Sequence, residues 1–362
     1  MLMNLVLLLS WAAIPVALVC VVDDWFLRPK RELAAAPQPA RDPPLLTFCY
    51  RALPILVVAG VIRLLVAERL DFSAVLVLIT VLTGLVWWLD HLVFAKRRAA
   101  AVKASGKDLA SVTLPGTVDY ARSFFPVAAV VLLLRAFIFE PFRIPSDSMM
   151  PTLLSGDFII VNKYDYGLRL PVLNTKFVNI GEPERGDVVV FRYPPDPGIN
   201  YIKRLVGLPG DHVVVKDDRL YVNDKPIDFQ VTGPFTEDGC YVGFQQAREH
   251  LGEHVHRAMF CASSWAPPLG RLPGCKRSNV TGYLCSDQNS SNLFGGEDSQ
   301  VMVVPPGEYL MIGDNRDNSE DGRRWGFVPE NNLVGKATRI WFNLDLQRSG
   351  GPAWGRIGSR IE

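Results

Sequence analysis

Arg143-Ile-Pro-Ser-Asp-Ser-Met-Met-Pro-Thr-Leu-Leu-Ser-Gly-Asp157 sets two serines, Ser146 and Ser148, between Pro145 and Pro151. Proline fixes its own φ and pushes the preceding residue towards extended geometry, so this segment is not helix. It is a short, turn-like piece of backbone that presents two hydroxyls among Ile144, Met149, Met150, Leu153 and Leu154. Taken alone it also reads as a surface turn, because Ser, Asp and Pro are ordinary turn residues. The sequence on either side decides between the two readings.

Upstream lie four apolar runs, residues 1–22, 52–67, 72–94 and 124–139. The first is nearly uncharged and long enough to cross a hydrocarbon core of about 30 Å. A removable signal peptide would carry a basic start and an A-x-A-like exit. Met1 to Asn4 has no positive charge and the exit reads Ala17-Leu-Val-Cys20, so a retained anchor is expected. The second run is short and interrupted by Arg63, and both a spanning and a re-entrant reading stay open for it. The third carries Trp87 and Trp88 where interfacial aromatics sit, and the fourth ends near Arg135, which can snorkel to the headgroups. Basic residues gather after the first run (Arg28, Lys30, Arg31) and after the third (Lys96, Arg97, Arg98, Lys107). The positive-inside rule puts those two loops in the cytoplasm and everything beyond Pro141 outside. Residues 1–140 are therefore expected to form a membrane anchor of about four transmembrane helices with two basic cytoplasmic loops. Lys+Arg 38 against Asp+Glu 37 leaves no global basic field for nucleic acid.

Residues 141–362 read as β-rich. Phe158 to Val161, Val188 to Phe191, His212 to Val215 and Met302 to Val304 are β-branched runs bounded by Gly, Pro and Asp. Within this part, residues 217–300 form an inserted, cysteine-containing lobe, and Thr232 to Gly296 is Ser-, Gly-, Cys- and Asn-rich with weak patterning. The expected fold is thus N-terminal transmembrane α-helices followed by a mostly-β extracytoplasmic catalytic domain with an inserted second β-rich lobe. Cys240, Cys261, Cys275 and Cys285 fall in the insertion and allow three disulfide pairings, a local Cys275–Cys285 bridge among them.

A serine needs a base to become a nucleophile. None of His91, His212, His250, His254 and His256 has a triad context in sequence. Tyr201-Ile-Lys-Arg-Leu205 offers another base, since on a strand Lys203 shares a face with Tyr201 and Leu205. An apolar setting lowers a lysine pKa and leaves a neutral amine, although most strand lysines simply reach solvent. Gly313 to Pro329 concentrates charges, amides and a hydroxyl in one Gly-bounded stretch. It suits either a solvated turn or a buried polar network that positions a base.

These stretches, in this order after an apolar run, resemble the bacterial type I signal peptidases (leader peptidases). The matching words are I-P-S-D-S-M-M-P-T-L, R-G-D-V-V-V-F, Y-I-K-R-L-V-G-L-P-G-D and G-D-N-R-D-N-S-E-D-G-R-R-W-G-F-V-P. The resemblance implies Ser148 as nucleophile and Lys203 as general base, a Ser–Lys variant of nucleophile plus base. It implies Ser146 in the oxyanion hole, Ser319 orienting Lys203, and Asp321 with Arg323 as a structural ion pair. It implies a pocket for small substrate residues at −1 and −3, walled by Phe142, Ile144, Pro145, Leu153, Ile159, Val190, Tyr201 and Ile202. The implied partners are signal peptides of secreted pre-proteins, the lipid bilayer and the secretion translocon; no cofactor or metal and no nucleic acid is implied. Such an enzyme sits in the bacterial cytoplasmic membrane with its catalytic domain on the outer face. Extra apolar runs between the first and last anchors set this chain apart from the two-anchor form of the family. Three rivals stay open: a non-catalytic membrane scaffold, a self-cleaving Ser–Lys peptidase, and a metallopeptidase. The last rests on His250-Leu-Gly-Glu-His254, which fits H-x-x-E-H but contains a glycine in a loop-rich stretch.

Overall fold

The structure, a computed structural model, describes residues 2–35, 41–66, 72–104, 115–216, 219–236, 241–261, 283–284, 301–345 and 351–362. The chain divides into two compact units, Met1–Arg135 and Ala136–Glu362.

In the first unit four helices are long and apolar enough to cross a membrane, over Leu9–Ala34, Pro44–Leu65, Phe72–Ala104 and Gly116–Ile138. The first and third of these continue as helix into basic segments, Arg28–Ala35 and Ala95–Ala104. Two helices begin earlier than the apolar runs do. The Pro44–Val66 helix takes in Tyr50, whose hydroxyl donates to Asp24 at 2.6 Å. The Gly116–Leu133 helix starts where Thr117 donates to Asp24 through its N–H at 2.7 Å and its hydroxyl at 2.6 Å. These polar turns are satisfied inside the unit, so hydropathy understated both helices. Arg63 interrupts the second run without breaking it, because its guanidinium lies 3.9 Å from the centroid of the Trp11 ring.

The second unit is built on a seven-stranded antiparallel sheet. Its strand order is Phe139–Arg143, Asp157–Asn162, Leu333–Asn343, Val188–Tyr193, Asp196–Gly207, Glu308–Ile312, Val328–Pro329. A four-stranded sheet is made of Met302–Val303, His212–Lys216, Arg219–Val222 and Lys225–Pro226. The stretch that looked weakly patterned contains a third sheet of Asp228–Pro234, Phe244–Leu251 and His254–Cys261. Cys261 is disulfide-bonded, while Cys240, Cys275 and Cys285 lie outside the described residues.

One buried carboxylate fastens the turn that carries Ser148 to the end of the sheet. Asp157 is fully buried and accepts from Leu154 N at 2.8 Å, Asn343 Nδ2 at 2.7 Å and Arg356 Nη2 at 2.6 Å. Arg356 also donates to Thr152 O at 2.9 Å. Removing one partner of such a pair leaves a charge buried without compensation, typically costing about 3–5 kcal/mol. Arg356→Ala is accordingly expected to lower the melting temperature of the detergent-solubilised protein by many degrees. Asp157→Asn combined with Arg356→Ala should recover part of that loss, which thermal melts of the native protein and the two variants would measure.

Candidate active site

Ser148 follows a strand, Phe139–Arg143, and sits in the turn that Pro145 and Pro151 confine. Its backbone is held from the far side of the site. Asn315 donates its N–H to Ser148 O at 3.1 Å and its side-chain amide to Asp147 O at 3.0 Å. The Ser148 N–H itself is committed to no acceptor among the described residues. Lys203 lies on the Asp196–Gly207 strand, paired with Val189. Its Nζ is 2.6 Å from Ser148 Oγ and 3.0 Å from Ile202 O. Both side chains are sheltered, Lys203 at 4% and Ser148 at 8% exposure. Burial pushes the lysine pKa down to about 8; Asp321 opposes the shift and Arg323 adds to it. With a pKa near 8 the neutral amine becomes accessible in the mildly alkaline range, and in that form, within hydrogen-bond reach of a hydroxyl, it can take its proton.

Ser146 is exposed, with Oγ 3.4 Å from Ser148 Oγ. Ser319 is buried, but its Oγ makes no hydrogen bond to Lys203; the amine takes its direction from Ser148 and Ile202 O. Asp321 and Arg323 form a bidentate pair at 2.8 and 2.9 Å, and Asp321 also accepts from Gly313 N at 2.8 Å. Asp321 is held below the usual carboxylate range: its burial would raise it, and the charge of Arg323 outweighs that.

Six of the eight residues expected as pocket walls belong to one apolar cluster. Ile144, Leu153, Ile159, Val190 and Ile202 are buried in it and Phe142 packs against it. Tyr201 belongs to the neighbouring cluster, where it stacks on Tyr193 with ring centroids 4.3 Å apart, and its ring lies 5.5 Å from Lys203 Nζ. Pro145 is exposed at the edge.

Sequence reasoning missed the residue next to the base. Arg204 Nε and Nη2 donate to Asp314 at 2.8 and 2.7 Å, and Nη1 donates to Gly186 O at 2.7 Å. Asp314 also accepts from Thr152 Oγ1, four residues beyond Ser148. Burial would raise Asp314, but Arg204 holds it below the ordinary carboxylate value. Next to it His256 Nε2 is 3.1 Å from Glu249, which pairs with Arg316. Burial and the nearby Arg204 lower the His256 pKa. The word D-N-R with a Lys-Arg pair was the available signal for these contacts.

His250 and His254 flank a hairpin turn rather than sharing a helix face, and they meet different acids. His250 lies 3.7 Å from Asp228 and His254 3.6 Å from Asp187. Glu184, Asp187 and His254 do bring ligand atoms within 4.8 Å of one another, but Lys336 Nζ already lies 2.5 Å from Asp187 Oδ1. The H-x-x-E-H spacing therefore does not assemble a zinc site of the helical kind.

Gly313 is the tightest point of the arrangement. A Cβ there would stand 2.1 Å from Ser319 Oγ and 2.6 Å from Ser148 O. Gly313→Ala is expected to shift the Ser148 backbone and slow acylation of Ser148 by an activated ester about 100-fold or more, the cost of roughly 1 Å of misplacement. An unchanged acylation rate in a folded variant would show that the Gly313 contact does not position Ser148.

The family model for signal peptidase, peptidase S26, matches residues 117–342. Signal peptidase I of Pseudomonas aeruginosa is 40% identical over 310 residues, covering 80% of this chain and 98% of that protein. Signal peptidase I of Haemophilus influenzae is 32% identical over 323 residues, covering 78% of this chain and 88% of that one. A solved signal peptidase I from Enterococcus faecalis is 24% identical, covers 44% of this chain and 98% of its own, and has a TM-score of 0.23. A family match over more than half of the chain, together with a relative 40% identical over 80% of it, leads to one conclusion: the chain belongs to the signal peptidase family, peptidase S26.

Proposed function

We propose that this peptidase removes signal peptides from exported pre-proteins, cutting after small residues at −1 and −3. The observation that carries the reading is the 2.6 Å contact between Ser148 Oγ and a buried Lys203 Nζ whose pKa is pushed down to about 8. Neutral Lys203 takes the Ser148 proton as Oγ attacks the scissile carbonyl. The Ser148 N–H and Ser146 Oγ stabilise the oxyanion, and one such donor is typically worth about 10²–10³ in rate. The Lys203 ammonium then protonates the leaving amine, which departs as the mature N-terminus and leaves an acyl ester on Ser148. Neutral again, Lys203 deprotonates the water that attacks the ester carbonyl and passes that proton to Ser148 Oγ as the signal peptide leaves with its new carboxylate. No step needs a metal or other cofactor. The Phe142, Ile144, Leu153, Ile159, Val190 and Ile202 cluster supplies the apolar walls for the small side chains, with Pro145 and Tyr201 at the margins. The substrate binds extended, pairing its main chain with the rim of the sheet.

Four helices long and apolar enough to cross a bilayer, two of them running on into basic segments, support the reading of a multi-pass protein of the cytoplasmic membrane with its catalytic unit on the outer face. About nine residues separate Phe139 from Ser148. At roughly 3.3 Å per residue the serine lies within ~30 Å of the last helix, in reach of a peptide leaving the bilayer or a translocon.

The test is cleavage of a purified pre-protein by the solubilised chain. Cleavage after the small residue is expected for the native protein, with loss of at least about 10³-fold for Ser148→Ala and for Lys203→Ala, in line with loss of a catalytic residue. Retained cleavage in either folded variant would overturn the assignment of that residue, and chelator sensitivity would move the chemistry to a metal. The rate should rise with pH and level off above about 8, falling roughly tenfold per unit below it as the amine protonates. A profile flat down to pH 5 would exclude lysine as the base.

A further inference from the structure

We propose that the hairpin of Leu168–Arg169 and Lys176–Val178, with its continuation to Ile180, is a lipid-docking finger of the second unit. Its exposed apolar side chains enter the bilayer interface at the end of the Gly116–Ile138 helix, and the proposal rests on reading that helix as a membrane span.

Leu170-Pro-Val-Leu-Asn-Thr-Lys-Phe-Val-Asn-Ile180 carries one charged residue, Lys176. Leu170, Val172, Leu173, Phe177, Val178 and Ile180 are all exposed, Leu173 at 72%. Large apolar residues scattered singly over a surface are ordinary, whereas six gathered in one such short stretch mark an interaction site. Arg169, Asn174 and Lys176 are used at the base of the finger. Arg169 is buried and donates to Asn174 O at 3.3 Å and to Glu330 O at 2.9 Å. The Asn174 amide donates to Asn331 O at 2.5 Å, and Lys176 Nζ lies 2.7 Å from Glu330 Oε1. The tip is therefore a shaped apolar surface with its charge drawn down to the base. Val172 at the turn has a φ of 68°, which a β-branched side chain takes only at a cost, and such outliers gather at functional sites.

The end of the apolar helix identifies lipid as the occupant. Lys163, just before the finger, donates its N–H to Ile138 O at 3.0 Å. The Phe177 ring meets Phe137 edge to face, with centroids 6.1 Å apart. Phe137 and Ile138 are the last two residues of that helix, and Ile138 and Phe139 are exposed as well. The apolar surface of the finger is thus continuous with the surface a spanning helix gives to lipid. Exposed Tyr164 stands at the junction, where an amphipathic ring suits the headgroup level. With Lys176 paired, the attraction comes from apolar burial rather than from anionic headgroups. The segment leading into the finger is fixed to the catalytic sheet. Buried Tyr166 donates to Asp187 Oδ2 at 2.8 Å, beside the Val188–Tyr193 strand that pairs with the Lys203 strand. A finger seated in lipid therefore sets the height of the Ser148–Lys203 pair over the bilayer.

The test is photochemical and uses the full chain in vesicles of phosphatidylcholine, a lipid without net charge. A benzophenone side chain replaces, in turn, Leu173 on the finger, Leu133 in the apolar helix and exposed Glu253 elsewhere in the second unit. Mass spectrometry after irradiation identifies what each has captured. Lipid adducts are expected at positions 133 and 173 and not at 253, with the yield at 173 unchanged by salt. Phe177→Asp should lower the yield at 173 about tenfold, the order expected for losing one lipid-buried aromatic side chain, and leave the melting temperature in detergent unchanged. A lipid adduct at 133 without one at 173, equal lipid yields at 173 and 253, or capture at 173 of a second copy of the chain instead of lipid would overturn the proposal. No lipid adduct even at 133 would overturn the span reading and this proposal with it.

Discussion

The proposed chemistry depends on one constraint: a lysine must stay dry enough to be neutral while touching the serine it serves. Lys203 meets this by burial on a central strand, between a sheet neighbour on either side, with its amine against Ser148 and Ile202 O. Nearby carboxylates would undo that by attracting a proton. Asp321 and Asp314 both pull the lysine pKa upward, yet each carries its own arginine, Arg323 and Arg204. Arg323 offsets part of the pull of Asp321 on the amine, and the pairing keeps the hydrogen bonds that shape the loop. The acids near the base still raise its pKa, and burial outweighs them.

The same logic explains why so many ions are buried in one place. Glu249, His256, Asp314, Arg204 and Arg316 form a chain of close contacts under the Phe244–Cys261 hairpin. Met259 N donates to Asp314 O at 2.8 Å and Cys261 N to Asp317 Oδ2 at 2.6 Å, so the hairpin's backbone is tied to the loop that holds Ser148. Buried ion pairs contribute little net stability against apolar replacements, but they tolerate few alternative arrangements. Here they set where the Gly313–Asn315 stretch lies, and hence where Asn315 holds the Ser148 carbonyl.

Much of the fold and site could be read from the sequence because its signals are local. Pro145 and Pro151 confine Ser148, and β-branched runs mark the strands on which Val190 and Lys203 sit. What stayed hidden depends on distant partners. The hairpin looked unpatterned because its inward positions include Glu249 and His256, polar residues that break the apolar alternation a buried strand face normally shows. Tyr50 and Thr117 likewise masked two helix starts, since only the fold reveals that Asp24 satisfies them. The part expected of Ser319 depends on the conformation of its loop, and here its hydroxyl makes no hydrogen bond to Lys203.

Register on one strand separates the base from the scaffold. Lys203 and Arg204 are adjacent, so the pleat sends them to opposite faces, the amine to Ser148 and the guanidinium to Asp314 and Gly186 O. A slip of one residue would exchange them. Arginine does not deprotonate in proteins, so the exchanged strand would set a permanent cation beside the serine and bury an unpaired lysine next to Asp314. The pairings of Val189 with Lys203 and Val188 with Arg204 exclude that slip, and their alternate, fully apolar neighbours make it costly. On the other edge Ile312 faces Arg204, and a bulge between Leu310 and Met311 then restores Leu205 to its core. The strand therefore uses a structural arginine to hold in place the lysine whose neutrality the reaction needs.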